Sequence, residues 1–172
     1  MATLVTPTVC LWNDIDSYLV ARVTTDLGPG SAYTTLKVLE APHINDALQP
    51  EETWLLPAIV ISSFICDHDT SKPFGDNTSD SVINRYRCGI SALLSATSYD
   101  QARRDTKEMV RRIAKLAHSL GALGRLASTD GETVIDSRVA LQQVLAHPAA
   151  GSETVYSGVG VVGVDIYSEV AQ

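Results

Sequence analysis

Two periods of hydrophobic residues organise the chain. Through residues 98–120, Ala102, Met109, Val110, Ile113, Leu116, Ala117 and Leu120 recur at three- and four-residue steps, which puts them on one face of a helix. The opposite face holds Arg103, Arg104, Lys107, Arg111, Arg112 and Lys115. Ser98, with Gln101 three residues on, matches a capping box, in which each side chain satisfies an amide that the helix leaves open. Gly121 and Gly124 mark the expected stop. A second helix is expected over 7–26, where Leu11, Ile15, Tyr18, Leu19 and Val23 keep helical spacing, Pro7 suits a first turn, and Gly28, Pro29 and Gly30 break the pattern.

The strand signals lie between and after these helices. Residues 33–39 have β-favouring composition and lead into a polar loop bounded by Ala41, Pro42 and Pro50. Residues 55–65, with Ile59, Val60 and Ile61 at their heart, read as a buried central strand, with Pro57 near its start or at an edge. At 85–94, Tyr86, Cys88, Ile90 and Ala92 alternate with Arg85, Arg87, Gly89 and Ser91, the period of a strand with one wetter face. The polar stretch 66–81 separates these two runs, so a hairpin with a long loop is expected there. Residues 133–146 fit a strand, a short helix, or one after the other. Residues 154–167 are β-rich, and a change of phase at Val161 and Val162 predicts a bulge. The fold class that follows is α+β: a mixed, mainly antiparallel sheet with an N-terminal helix and one long amphipathic helix packed on it.

Composition narrows this little. The chain has 172 residues, 45% hydrophobic and 19% charged, which suits one globular domain over 1–172. Cys10, Cys66 and Cys88 are widely spaced, with no CxxC and no charged-then-apolar leader, so free and mostly buried thiols in a reducing compartment are expected. No apolar run approaches the roughly eighteen residues needed to cross a bilayer, and a soluble protein is expected.

Charge is more informative than composition. The net charge is −7, yet residues 98–120 hold six basic and three acidic side chains, whereas residues 1–80 hold eleven acidic and three basic. An acidic surface repels phosphates, so general nucleic-acid binding is disfavoured. The contrast suits one copy of the chain docking on another.

The candidate chemical motifs are weak. Gly158, Gly160 and Gly163 spell GxGxxG, but only nine residues follow, too few for the helix and the acidic residue that a dinucleotide site requires. Close packing or a bulge in a strand explains them better. Asp67, His68 and Asp69 are suitable metal donors, yet adjacent residues rarely converge on one ion, and a solvated loop is the better reading. His118 sits where a cation complements the helix dipole, and neither His43 nor His147 has a nucleophile in a recognisable frame. By default the basic helix face is solvated, with i,i+4 support from Asp100 to Arg104 and from Glu108 to Arg112. Its functional alternative is contact with an acidic neighbour.

The order of elements resembles the tail terminator, or tail completion, proteins of tailed bacteriophages. The resemblance is carried by the N-terminal segment up to Leu27-Gly28-Pro29-Gly30, the 55–65 strand, and Tyr86-Arg87-Cys88-Gly89-Ile90-Ser91-Ala92 leading through Ser98-Tyr99-Asp100-Gln101-Ala102 into the long helix. It covers most of residues 5–125 and lies in pattern and order, not in a diagnostic motif. It implies a virion protein without an active site or cofactor, made in the host cytoplasm and forming a homo-hexameric ring. That ring would end the tail tube and meet the head connector or neck proteins. Interface candidates are Arg103, Arg104, Lys107, Arg111, Arg112 and Lys115. Asp67, Asp69, Asp76 and Asp80 would line a channel through which DNA passes without specific binding. A head-completion or other neck adaptor, and a small intracellular enzyme or ligand-binding domain using Asp67, His68 and Asp69, are the alternatives.

Overall fold

The computed structural model describes residues 6–27, 37–40, 57–69, 82–118, 126–149 and 151–170; residues 37–40, 62–69, 82 and 118 are described by backbone only. The first helix, α1 (Leu11–Leu27), excludes Pro7, which sequence spacing placed in its first turn. Local hydrogen bonds hold the preceding chain in a turn instead. The Cys10 N–H donates to Thr8 Oγ1 at 3.1 Å, and the Thr8 N–H donates to both carboxylate oxygens of the buried Asp14, at 3.0 and 2.9 Å.

Strand β1 (Lys37–Glu40) is the described part of the strand expected at 33–39. Strand β2 (Ala58–Asp69) begins directly after Pro57, whose missing N–H cannot join the ladder, and carries a bulge between Ser63 and Ile65. It runs through Cys66, Asp67, His68 and Asp69, four residues expected in the loop. Pairing explains the difference: antiparallel bonding to β3 (Val82–Ala96) continues to the register Asp69↔Ile83, and the ladder overrides the polar composition. Residues 70–81, with Asp76 and Asp80, lie outside the described residues, as do the expected helix stops Gly121 and Gly124. The second helix, α2 (Tyr99–His118), is followed by β4 (Glu132–Pro148) and β5 (Tyr156–Val170). Of the three possibilities for 133–146, the strand is the one adopted.

The strand order is β1-β2-β3-β5-β4; β1 runs parallel to β2 and every other pairing is antiparallel. The fold is α+β, as the hydrophobic periods indicate. Both helices cover one face of the sheet. The α1 helix lies over β1 and β2, and α2 lies over β3, β5 and β4. Leu11, Ile15, Leu19 and Val23 of α1 and Val110 and Ile113 of α2 share one core with Ile59, Ile61, Cys88, Ile90, Val162, Val164 and Ile166. Trp12 of α1 meets Tyr86 of β3 edge-on, with ring centroids 5.9 Å apart.

Pairing between β3 and β5 is unbroken from Val82↔Val170 to Ala96↔Tyr156, so the bulge expected at Val161 and Val162 is absent from β5. The bulges lie across the ladder in β4, between Val134 and Asp136 and between Val139 and Leu141. The apparent change of phase has a different cause. The inward positions at 158 and 160 are glycines, because a Cβ at Gly158 would collide with Thr106 Oγ1, and one at Gly160 with Val110 Cγ2. From Val162 onward the inward positions are apolar again. The glycines of the rejected GxGxxG therefore let α2 lie close on the sheet, while Gly163, on the other face, packs against Leu141.

One polar group is built into this core. Glu132, 7% exposed, accepts hydrogen bonds at Oε1 from Asn84 Nδ2 (2.7 Å), Tyr86 OH (2.7 Å) and Ser168 Oγ. It ties the start of β4 to β3 and β5.

Candidate interaction surface

The α2 helix starts where Ser98 ends the preceding strand and turn. The Gln101 N–H donates to Ser98 Oγ at 3.3 Å, and the Ala102 N–H donates to the Ser98 carbonyl at 3.0 Å. The return half of the capping box is not made. The Gln101 side chain instead accepts from Thr97 Oγ1 at 3.4 Å. Ala102, Thr106, Met109, Val110, Ile113, Ala114, Leu116 and Ala117 are buried against the sheet, so the helix can rotate no further. Arg103, Arg104, Lys107, Arg111, Arg112 and Lys115 consequently all point outward and are exposed.

Geometry divides these six cations into two sets. Arg112 pairs with Glu108 one turn earlier, its Nε and one terminal nitrogen lying 3.1 and 2.5 Å from Oε1. Arg104 Nε lies 3.6 Å from Asp105 Oδ1, so its partner is the adjacent residue and not Asp100. Arg103, Lys107, Arg111 and Lys115 make no ion pair among the described residues. They recur every four residues and so rise along the helix in steps of about 6 Å. A shallow groove of about 550 Å³ is lined by Lys107, Glu108, Arg111, Arg112 and Lys115. Because the chain carries −7 and α2 carries +3, the remainder carries −10. The four unneutralised cations thus form one row, opposite in sign to the net charge of the chain outside α2. Their four-residue spacing is visible in the sequence; their lack of partners is not.

The acidic candidates separate in the same way. Asp67 and Asp69 belong to β2, in register with Arg85 and Ile83 of β3. No group of three or more His, Cys, Asp and Glu side chains placed to hold a metal ion occurs among the described residues. His118 ends α2, and His147 lies in β4 with Nδ1 2.8 Å from the Pro148 carbonyl oxygen. His43 lies outside the described residues.

A charged cluster that sequence reasoning did not assemble lies on the sheet face away from the helices. Asp165, 3% exposed, accepts from Arg85 (2.5 Å) and from Arg87 Nε (3.1 Å), while Arg85 and Arg138 flank the Tyr167 ring. Burial pushes the Asp165 carboxyl up, but the hydrogen bonds and charges of Arg85 and Arg87 outweigh it and hold the group below its ordinary range. The alternation of Arg85 and Arg87 was the available signal; the partner eighty residues away in β5 was not. Of the thiols with described side chains, Cys88 is buried, and its burial raises it well above the usual range, whereas Cys10 is exposed. No described helix is long and apolar enough to cross a membrane.

Comparison of the chain with protein-family models gives no match, and a search of curated proteins gives none either.

Proposed function

We propose that this chain is a structural virion subunit of a tailed bacteriophage, a tail terminator that assembles as a homo-hexameric ring, closes the tail tube and meets the head connector. One observation supports this most: four unneutralised cations along α2, a helix at +3, with the chain outside it at −10. A ring needs a heterologous contact, in which one patch meets a different patch on the next copy, and charge asymmetry within a subunit supplies such a pair. The order of elements behind the resemblance supports it as well: helix, strand, hairpin, long helix, hairpin. In this arrangement α2 meets an acidic surface of the neighbouring copy. The β2–β3 hairpin end, with Asp67, Asp69, Asp76 and Asp80, faces a channel where negative charge lets DNA slide without sticking. No cofactor and no catalytic residue is assigned.

The test is the assembly state of the purified chain. Native mass spectrometry and negative-stain electron microscopy should give closed six-membered rings that bind the cognate tail tube. A strictly monomeric chain at high concentration, or rings of twelve, would overturn the assignment, twelve-fold association pointing to a neck adaptor.

A further inference from the structure

We infer that the outer edge of β4 pairs antiparallel with β4 of a second copy, about a two-fold axis at Gln143. This goes beyond the ring assignment and does not depend on it.

Among the described residues the β4 strand ends the sheet; residues 126–128 bridge its outer edge at 132–134, and beyond that bridge the edge pairs with no strand. Natural edge strands are blunted by charge, proline or brevity. This one is seventeen residues long, and from Val139 to His147 it reads Val-Ala-Leu-Gln-Gln-Val-Leu-Ala-His, with no carboxylate, lysine, arginine or proline. Its bulges lie upstream, the second between Val139 and Leu141, and from Leu141 to Pro148 the strand is regular. Leu141 and Leu145 are 44% and 61% exposed, on the sheet face away from the helices. They adjoin the half-buried Val159 and Val161 of β5. An uncharged, regular, apolar edge is a template for another strand.

The sequence of the edge identifies that strand. It is nearly palindromic about Gln143. Antiparallel self-pairing sets Leu141 against Leu145 of the other copy, Gln142 against Val144, and Ala146 against Ala140 at the bulge. Both leucine pairs fall on one face and extend the apolar strip across the junction. Charge agrees at the ends. A chain at −7 repels its own copy over most of its surface, but this edge is neutral. Arg138, exposed just before it and 3.8 Å from Asp136, is brought towards residues 151–155 of the second copy, which include the exposed Glu153, and the symmetry makes this contact twice. The contact is isologous, unlike the heterologous contact of a ring.

A residue on the two-fold axis faces itself, which gives a direct test. Gln143→Cys, in a full-length Cys10→Ser background, should form an intermolecular 143–143 disulfide under mild oxidation, identified by peptide mass. Its yield should exceed that of Ser137→Cys roughly tenfold, because the two 137 positions lie about 40 Å apart in this arrangement, far outside disulfide reach. Leu145→Lys, at an exposed position that leaves the fold intact by circular dichroism, should halve the native mass at micromolar concentration. Equal yields from the two cysteine variants, or a native mass unchanged by Leu145→Lys, would overturn the inference. Six-membered rings without the 143–143 link would sink the edge contact and leave the ring standing. The link without rings would do the reverse.

Discussion

Asp165 shows how one buried carboxylate is held ionised inside a sheet. Arg85 and Arg87, two apart on β3 and therefore on one face, both donate to it across the ladder. Its folded-state affinity for protons is lower than in the unfolded chain, so between the two pKa values the unfolded state binds more protons and stability rises with pH. The contribution is complete above the ordinary carboxylate range and is lost as pH falls through the depressed value. Asp130, lowered by its hydrogen bond from Ser128, adds in the same direction. Asp165→Asn should lower stability at pH 7 by about 2 kcal/mol and flatten the acid limb of a urea-midpoint-against-pH curve. A wild-type curve already flat below pH 5 would contradict this role. Glu132 works differently. As the common acceptor for Asn84, Tyr86 and Ser168, it lets three polar side chains enter the core without an unpaired donor.

The packing of α2 on β5 is decided by side chains that are missing. Gly158 and Gly160 leave a flat strip into which Thr106 and Val110 fit, and Thr106 Oγ1 turns back to the Ala102 carbonyl at 2.7 Å, keeping its hydroxyl bonded inside the interface. Gly158→Ala should cost about 2 kcal/mol in chemical denaturation, because the added methyl meets both Thr106 and the Ala102 carbonyl oxygen, which is backbone and cannot retreat alone. Thr106→Ala should restore only part of it. Gly163→Ala should be milder, since its nearest neighbour, Leu141, lies at an exposed edge and can shift. Equal losses at 158 and 163 would refute the assigned role of helix approach. Element by element, α2 was legible because its apolar face is unbroken and its cap is local. The β4 strand was not. Its two bulges reset the side-chain phase twice, and its exposed edge removes the contrast between faces on which a period-2 pattern depends.

At the scale of the molecule, the pairing of charges turns a basic helix face into an oriented one. Arg104 and Arg112 are neutralised at short range by Asp105 and Glu108, which leaves the row at 103, 107, 111 and 115 to act outward. If that row meets the acidic surface of another copy, Arg111→Glu with Lys115→Glu should weaken assembly at least tenfold, an effect of about 1.4 kcal/mol or more, with the monomer still folded by circular dichroism. Arg104→Gln with Arg112→Gln should do much less. Raising salt from 0.05 to 0.5 M should narrow the difference between the two pairs, because exposed charges are screened. Assembly indifferent to both salt and reversal would remove the charge-driven contact.

The α+β class, both described helices, the β2–β3 hairpin and the outward direction of the basic face are legible in the residue pattern alone. Each of these rests on a local period or a cap within a few residues, which needs no knowledge of the rest of the chain. The folded chain alone shows that β5 inserts between β3 and β4, that a buried aspartate in β5 binds the two arginines of β3, and that inward glycines imitate a change of phase. It also shows which four of the six cations stay unneutralised and that, among the described residues, β4 keeps a free, uncharged edge from Val139 to His147. These depend on pairing between segments tens of residues apart, and no local pattern encodes which strand becomes whose neighbour.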